Sequence, residues 1–397
     1  MDTIKIGTKE ITKGFLIFLI ISVLLGMTTA AESTSIANRL YDDLDFTILQ
    51  RSMLEAPREL PGVLSVIFIG ILNALGDIKI AAVANVLGGI GLVLFGFAPK
   101  HFGIIIAFLL IFSVGQHIYI PLANTIAMTF AKGENFGRRL GQVQALGSFS
   151  IIVSSGIIFF LYKVIGVSYS VIFLIGGSTM FAAGALFFIL DLSVDKVVSE
   201  KRFVLRKEYK MFYVLAVING ARKQITLTFA PWLLITVFER PVTTITALFF
   251  VVCVINIFFK PWYGGIIDKR GEIFALKLEA AVMFVACLGF TFAKTLFSPG
   301  VALVIAGACY IMDKLMEAAY MARATYVRRI SKDPADVART LTMGQSMDHI
   351  ISVCIPVFAG YAWYAGGADG YMYVFAGGMA ISIVNFFVAG MLKYEAA

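Results

Sequence analysis

Lys260-Pro261-Trp262-Tyr263-Gly264-Gly265-Ile266-Ile267-Asp268-Lys269-Arg270-Gly271 stands between two long apolar runs, approximately 241–262 and 273–295. Its polar part is too short to link two soluble domains. It is long enough to turn a chain at a membrane surface and send it back. A glycine stands four residues before Asp268 and another three after it, with Lys269 and Arg270 adjacent to the aspartate. Glycines allow the tight backbone turn, and the basic pair marks the side of the membrane on which the turn lies.

The rest of the chain has the same character. Hydrophobic residues make up 59% of the 397 positions and charged residues only 15%, which excludes an ordinary water-soluble globule. Apolar runs near the length of the hydrocarbon core predict twelve spans, at about 14–37, 54–75, 80–98, 102–130, 140–162, 166–190, 210–238, 241–262, 273–295, 299–326, 340–363 and 370–392. Twenty-one lysines and arginines fall in the loops on the side of both termini and seven on the other, so both termini are expected to be cytoplasmic. That asymmetry explains most of the +8 net charge and points to membrane topology, with no nucleic-acid partner expected. The run from Phe15 continues past Ala30 at full spanning length, and reads as a first transmembrane helix, not a cleaved signal. Cys253, Cys287, Cys309 and Cys354 all lie inside spans without metal-ligand spacing, so neither a disulfide framework, a metal nor a cofactor is expected.

The polar stretch 191–210 divides the chain into six spans and six. The expected organisation is an N-terminal bundle at 1–190, a cytoplasmic linker at 191–210 and a C-terminal bundle at 211–397. An internal repeat supports the division. Arg138, Leu140 and Gln144 recur as Arg339, Leu341 and Gln345 at an offset of 201 (339 − 138), which also relates Gln116 to Glu317 and Tyr119 to Tyr320. Earlier in each half the offset is 191 (268 − 77), relating Asp77 to Asp268 and Glu32 to Lys223.

With twelve spans, a basic central linker, a two-fold repeat and the loop signature at 260–271, the whole chain resembles the major facilitator superfamily. The resemblance implies an all-α membrane protein with 12 transmembrane helices in two pseudo-symmetric six-helix bundles. It also implies a monomeric secondary transporter, a symporter or antiporter of the cell (cytoplasmic) membrane, with no enzymatic activity. In this family the signature loop latches the cytoplasmic side, so Asp268, Lys269, Arg270 and Asp77 inherit that role, with Arg138 and Arg339 nearby. Three positions depart from the pattern: Asn73 and Ile80 replace glycines in the first-half copy, and Glu272 replaces a basic residue. The fourth span lacks the arginine of many proton-coupled drug exporters, and 147–156 lacks their glycine and proline pattern, which weakens a drug-antiporter reading.

Ionisable residues inside apolar spans are costly and are kept where they face a polar cavity, a partner or a pathway. Here nearly all fall in the first, fourth, seventh and tenth spans: Glu32, Gln116 with His117, Arg222 with Lys223, and Asp313, Lys314 and Glu317. The resemblance implies that these four helices line the central cavity. At 1.5 Å per residue, Gln116, Arg222 and Asp313 lie roughly 18–21 Å into their spans, near the midplane of a core ~30 Å thick. Asn219, Arg222, Lys223 and Thr226 share a helical face, as do Tyr310, Asp313, Glu317 and Tyr320; the eleventh span adds Gln345, Asp348, His349 and Ser352.

In the solute-binding reading, Arg222 or Lys223 attracts an anionic group, while Asp313, Glu317 or Glu32 binds a cationic group or a coupling proton. Gln116, Tyr119, Asn124 and Tyr310 orient the solute by hydrogen bonds. The plainer alternative is that Arg222 or Lys223 pairs with Asp313 or Glu317 and holds the halves in register. His117 reads as a neutral hydrogen-bonding group; His349, beside Asp348, is the better proton relay. Outside the membrane, Arg51, Glu55, Arg58 and Glu59 read as a solvated segment with local ion pairs, or as an exterior gate.

The expected function is transport of a small polar or charged organic solute, anionic or zwitterionic, by alternating access, with room for proton coupling. A drug or metabolite exporter and a lipid flippase are alternatives on the same fold. A membrane-embedded transferase is the rival from another class. Asp42, Asp43 and Asp45 resemble one magnesium-binding cluster of intramembrane prenyltransferases, but no second cluster matches it.

Overall fold

The computed structural model describes residues 3–6, 9–130, 136–190, 205–331 and 334–394. A short antiparallel hairpin, β1 (Thr3–Ile6) and β2 (Lys9–Thr12), precedes the first helix and is an addition to the all-helical expectation. Alternation of β-branched with polar residues suits these four-residue strands. Thr12 then turns the chain into α1 (Lys13–Asp42), its hydroxyl accepting the Phe15 amide at 3.4 Å as an N-cap.

Eleven further α-helices follow among the described residues: α2 (Ile48–Ile71), α3 (Asp77–Gly96), α4 (Phe102–Thr129), α5 (Phe136–Phe160), α6 (Tyr169–Ile189), α7 (Lys210–Thr236), α8 (Val242–Leu296), α9 (Pro299–Met316), α10 (Tyr320–Ile330), α11 (Pro334–Ala365) and α12 (Gly370–Gly390). The 55 residues of α8 would extend ~80 Å as one straight helix, far more than a bilayer core. Gly271, at φ 80° and ψ 165°, breaks it in the signature loop, so α8 contains the eighth and ninth spans. Only a residue without a Cβ adopts that conformation at low cost. Conversely, the tenth span is interrupted: a 3₁₀ turn over Glu317–Ala319 separates α9 from α10. Counted this way, the described helices supply twelve passes.

Among the described residues, seven helices are long and apolar enough to cross a membrane by length and composition alone, and they include α1, α3, α6 and α8. α2, α7, α9 and α11 fall outside that group, and each carries charged side chains among its apolar ones. The second span also begins earlier than its apolar run suggests. Residues 48–53 are helical, so Arg51, Glu55, Arg58 and Glu59 lie on α2, and Arg51, Glu55 and Glu59 are buried. The solvated segment expected there is therefore corrected. Its charges satisfy one another along the helix: Arg51 pairs with Glu55, and Arg58 reaches Glu55 at 3.3 Å.

The chain forms two compact units, one of residues 1–44 with 64–198, the other of residues 45–63 with 199–397. In the first, α3 packs on α4 and α6, and α1 packs on α5 and α6. In the second, α8 packs on α9 and α12, and α7 packs on α11 and α12. The ninth span packs on both, with Gly289 facing Cys309 of α9 and Phe290 against Phe375 of α12 at 4.7 Å between ring centroids. Adding six to each span number of the first unit reproduces the second, as two copies of one bundle require.

Close helix approach in the first unit depends on small residues. Gly115 of α4 faces α3 so tightly that an added Cβ would collide with the Ala84 carbonyl and lie 2.6 Å from the Gly88 amide nitrogen. Gly115→Leu is expected to destabilise the purified protein by about 1–3 kcal/mol through overpacking, read as a lowered thermal unfolding midpoint in detergent. Gly264→Ala, where nothing lies within 4 Å of the new methyl, is expected to cause no such loss.

Candidate functional site

Each unit holds a polar cluster inside its helices. In the first unit, Glu32 of α1 accepts a hydrogen bond from Gln116 Nε2 of α4 at 2.8 Å. Both side chains are half-buried, on two of the four helices that the charge pattern singles out. His117 turns away: its Nδ1 lies 2.9 Å from the Ser113 carbonyl and 3.0 Å from the Ser113 hydroxyl, one turn back on its own helix. Tyr119 packs edge-on against Phe187 at 5.8 Å beside the apolar core of this unit. The side chains of Asn124, Arg138 and Arg339 lie outside the described set.

The acidic run after α1 is occupied structurally. Asp43 pairs with Arg39 at 2.8 Å, and Asp42 accepts a hydrogen bond from Tyr169. Arg39 also donates to the Phe95 and Ala98 carbonyls at 3.2 and 3.4 Å, closing the end of α3. Buried helix-terminal carbonyls need such donors. Asp42 and Asp43 thus belong to a helix-end framework.

The second unit carries the denser cluster. Arg222 of α7 is buried, and its guanidinium is shared. Nη1 lies 3.5 Å from Asp313 of α9, while Nη2 lies 3.3 Å from Glu279 of the ninth span and 3.2 Å from Asn219 Oδ1. Thr226, one turn along α7, donates to Asp313 at 2.6 Å. Beyond Glu279 stands a second arginine, Arg323 of α10, at 2.9 and 3.2 Å from the two carboxylate oxygens. Burying two cations together with two carboxylates is the one affordable way to hold any of them in a low-dielectric interior.

Lys223, the next residue on α7, points elsewhere. It pairs with Asp348 of α11, which also accepts from Asn219 Nδ2 at 2.8 Å. Asn219 therefore bridges the two ion-pair groups, donating to one and accepting from the other. Lys314 of α9 pairs with Glu317 at 2.8 Å and lies 3.9 Å from Asp313. Tyr310 is buried on the same helix. The Arg222–Asp313 pair anticipated as a brace between the halves lies wholly inside the second, so it cannot hold them in register.

His349 is the clearest difference from expectation. Its partner is Glu59 of α2, at 2.8 Å from Nδ1, instead of neighbouring Asp348. Adjacent helix positions point about 100° apart and do not face each other, so Asp348 turns to α7 while His349 turns to α2. Glu59 belongs to this unit because residues 45–63 pack with it. Glu279 and Arg323 have no part in the sequence-based expectation, and Glu59 enters it only as one charge of the segment from Arg51 to Glu59. Glu279 was legible as a lone carboxylate at the seventh position of an apolar run, and Arg323 as a cation inside the tenth span.

The signature loop places its charges unequally. Asp268, Lys269 and Arg270 are exposed, with the Arg270 guanidinium 4.8 Å from the centre of the Phe274 ring. The buried charge is Glu272, the residue standing where a basic one was expected, and it pairs with Arg329 at the end of α10 at 3.0 Å. Asp77 occupies the first turn of α3, where a negative charge complements the helix dipole.

Comparison with known proteins agrees with this architecture. The model of the family described as Major Facilitator Superfamily matches residues 15–313. No curated protein matches the chain. Among solved structures, it is similar to the nucleoside transporter NupG, with a TM-score of 0.77 at 13% identity, covering 96% of this chain and 100% of that one. It is also similar to the D-xylose-proton symporter, with a TM-score of 0.65 at 15% identity and coverage of 94% and 96%. A bacterial homolog of the human lysosomal transporter Spinster, inward-facing and unoccupied, gives 0.68 at 13% identity with coverage of 95% and 94%. At these identities the likeness is one of fold. The family match over most of the chain carries the assignment: this multi-pass membrane protein belongs to the Major Facilitator Superfamily.

Proposed function

We propose that the chain is a secondary transporter moving a small polar organic solute by alternating access, with both termini cytoplasmic and with Arg222, Asp313 and their neighbours forming its solute-binding and coupling centre. The observation that carries this reading is the complete pairing of the central cations. Arg222, Lys223 and Lys314 each already hold a carboxylate. An anionic or zwitterionic solute therefore binds by exchange, taking the guanidinium or ammonium from Asp313 or Asp348. A displaced carboxylate left charged in a low-dielectric interior is unfavourable, and a proton removes the penalty. Solute anion and proton then enter together, and the centre keeps its charge. Coupling follows from the pairing itself.

An uncharged, hydroxyl-rich solute is the second reading, and differential exposure favours it. The Arg222 side chain is 3% exposed, whereas Glu317 is 58% exposed and offers a carboxylate to hydroxyl donors. Glu32 and Gln116 present a similar half-buried pair. The nucleoside and xylose transporters that share the fold carry solutes of this type. A lipid flippase or a drug exporter has no such observation behind it.

A thermal-shift screen of the purified protein against nucleosides, sugars, carboxylates and amino acids separates the two readings. A ligand at a hundred times its dissociation constant stabilises by about 2.7 kcal/mol, a readily measured shift. Lys223→Gln is expected to weaken an anionic or zwitterionic ligand at least about tenfold, one decade being ~1.4 kcal/mol, whereas Asp313→Asn, which removes the carboxylate that competes for Arg222, is expected to tighten an anionic one. Glu317→Gln is expected to weaken an uncharged one. A confirmed ligand whose affinity none of the three changes would remove this centre from the binding site. Arg222→Ala is expected to cost about 3–5 kcal/mol of stability, because it takes the guanidinium from buried Asp313.

Proton coupling has its own measurement. In proteoliposomes, an imposed inward-acid pH gradient is expected to accelerate uptake of the ligand found in the screen. Asp313→Asn is expected to abolish that acceleration while solute exchange at equal pH continues. Uptake indifferent to the gradient in the unmodified protein would show that solute and proton are not linked.

A further inference from the structure

Arg222 sits between two carboxylates and belongs fully to neither. Charge-assisted N–H···O contacts close to about 2.7–2.9 Å when a pair is committed. Here the guanidinium stands 3.5 Å from Asp313 and 3.3 Å from Glu279. Each carboxylate has a shorter partner of its own: Thr226 donates to Asp313 at 2.6 Å, and Arg323 donates to Glu279 at 2.9 Å. A shift of a few tenths of an ångström would commit Arg222 to either side.

The two carboxylates differ in their surroundings. Asp313 lies on α9, ahead of the 3₁₀ interruption, in the stretch that holds Tyr310, Lys314 and Glu317. Glu279 is fully buried in the ninth span, and Arg323 holds it from α10, beyond the interruption. Tyr263 of the eighth span is buried, its hydroxyl committed to the Ala275 carbonyl at 2.8 Å. Cys287, also buried, is the next titratable group on the ninth span, two turns beyond Glu279. On α7 and α11, Lys223 and Asp348 neutralise each other and reach Arg222 only through Asn219.

We propose that Glu279, held by Arg323, is a standby counter-ion that keeps Arg222 charged and in place when Asp313 is protonated or occupied by solute. Glu279 and Arg323 are positioning residues: neither touches the solute. The assignment rests on the proposed role of Arg222 and Asp313 for its functional meaning, but its physical content is independent of any solute. With Glu279 present, loss of the Asp313 charge leaves Arg222 one counter-charge. Without it, the same event leaves a buried cation with none, a situation that interiors do not tolerate.

The proton is therefore the probe, and the thermal unfolding midpoint of the full-length protein in detergent, followed from neutral to acid pH, is the readout. The double substitution Glu279→Gln/Arg323→Gln removes the standby pair without changing net charge or leaving either partner alone. At neutral pH its midpoint is expected to stay close to that of the unmodified protein. On acidification, as Asp313 takes a proton, it is expected to fall at least about 5 °C further than the unmodified protein does, the size of shift that a buried unpaired charge produces in a chain of this length. Asp313→Asn alone is expected to follow the unmodified protein into acid, because Glu279 still serves Arg222. Combined with the double substitution, it is expected to give a low midpoint at every pH.

A purely structural pair would lower the midpoint by the same amount across the pH range, and that parallel offset overturns the proposal. If the double variant does not fold, Glu279→Asp, which draws the carboxylate back by one methylene, is expected to show the same acid-specific loss at smaller amplitude, and a parallel offset there is equally decisive. Arg323→Lys, which preserves the charge beside Glu279, is expected to restore the unmodified profile. These outcomes do not involve a ligand, so an unsuccessful solute screen leaves the test intact.

Discussion

A guanidinium inside a membrane protein must carry its counter-charge with it, and Arg222 imposes that condition on the whole second unit. Three elements meet its nitrogens: α7 through Asn219, the ninth span through Glu279 and α9 through Asp313. α10 joins through Arg323. Leaving one member of a buried pair alone costs about 3–5 kcal/mol, a large share of the stability of any domain. Polar register, not apolar packing alone, therefore aligns these helices. The apolar contacts of Phe290 with Phe375 and of Cys287 and Cys309 with facing glycines then pack around helices whose rotation the charges have set.

The sequence was informative where one helix face or one apolar run decided the outcome. A succession of long apolar helices and the shared face of Asn219, Arg222 and Thr226 follow from length and from the 3.6 period, and the helices carry both. It was less informative where a residue's partner lies on a distant segment. Asp348 next to His349 looked like a pair because they are adjacent in the chain, yet helix geometry sends them to α7 and α2. Glu279 attracted no notice because a single carboxylate in an apolar run gives no hint of two arginines, forty-four and fifty-seven residues away. Arg51 to Glu59 read as a solvent segment because their charge density is high; alternate signs at helical spacing let part of it neutralise itself and be buried.

α2 shows what that burial achieves. The division between the two units falls after Val63, inside the helix and just beyond Pro61 and Gly62. Residues 45–63 are tied to α11 at two levels: Ser52 against Gly360, where an added Cβ would collide, and Glu59 against His349 at 2.8 Å. Prolines at 57 and 61 each remove a backbone hydrogen-bond donor from the helix, and the glycine adds conformational freedom at the same point. The stretch of α2 with fewest backbone donors thus lies just before the division at Val63. A polar attachment on one side of a weak point is a local device, legible in α2 alone.

The loop at 260–271 separates what the backbone of a family signature requires from what its charges require. Gly271 keeps its place because φ 80° is needed to break α8 into two passes, and the Tyr394 hydroxyl lies 2.8 Å from where a Cβ would stand. The charges have been reassigned. A carboxylate, Glu272, occupies the position where the family pattern has a base, and the cation comes from Arg329 at the far end of the interrupted tenth span. An ion pair is indifferent to which partner supplies which sign, provided both stay within reach, whereas a left-handed backbone position admits few residues besides glycine. Arg329 and Arg323 lie six residues apart on α10, one paired with Glu272 and the other with Glu279, seven residues apart on the ninth span. Two rungs of the same polarity therefore bind α10 to the ninth span, one in the signature loop and one at Arg222, so displacement of α10 along that span strains both together.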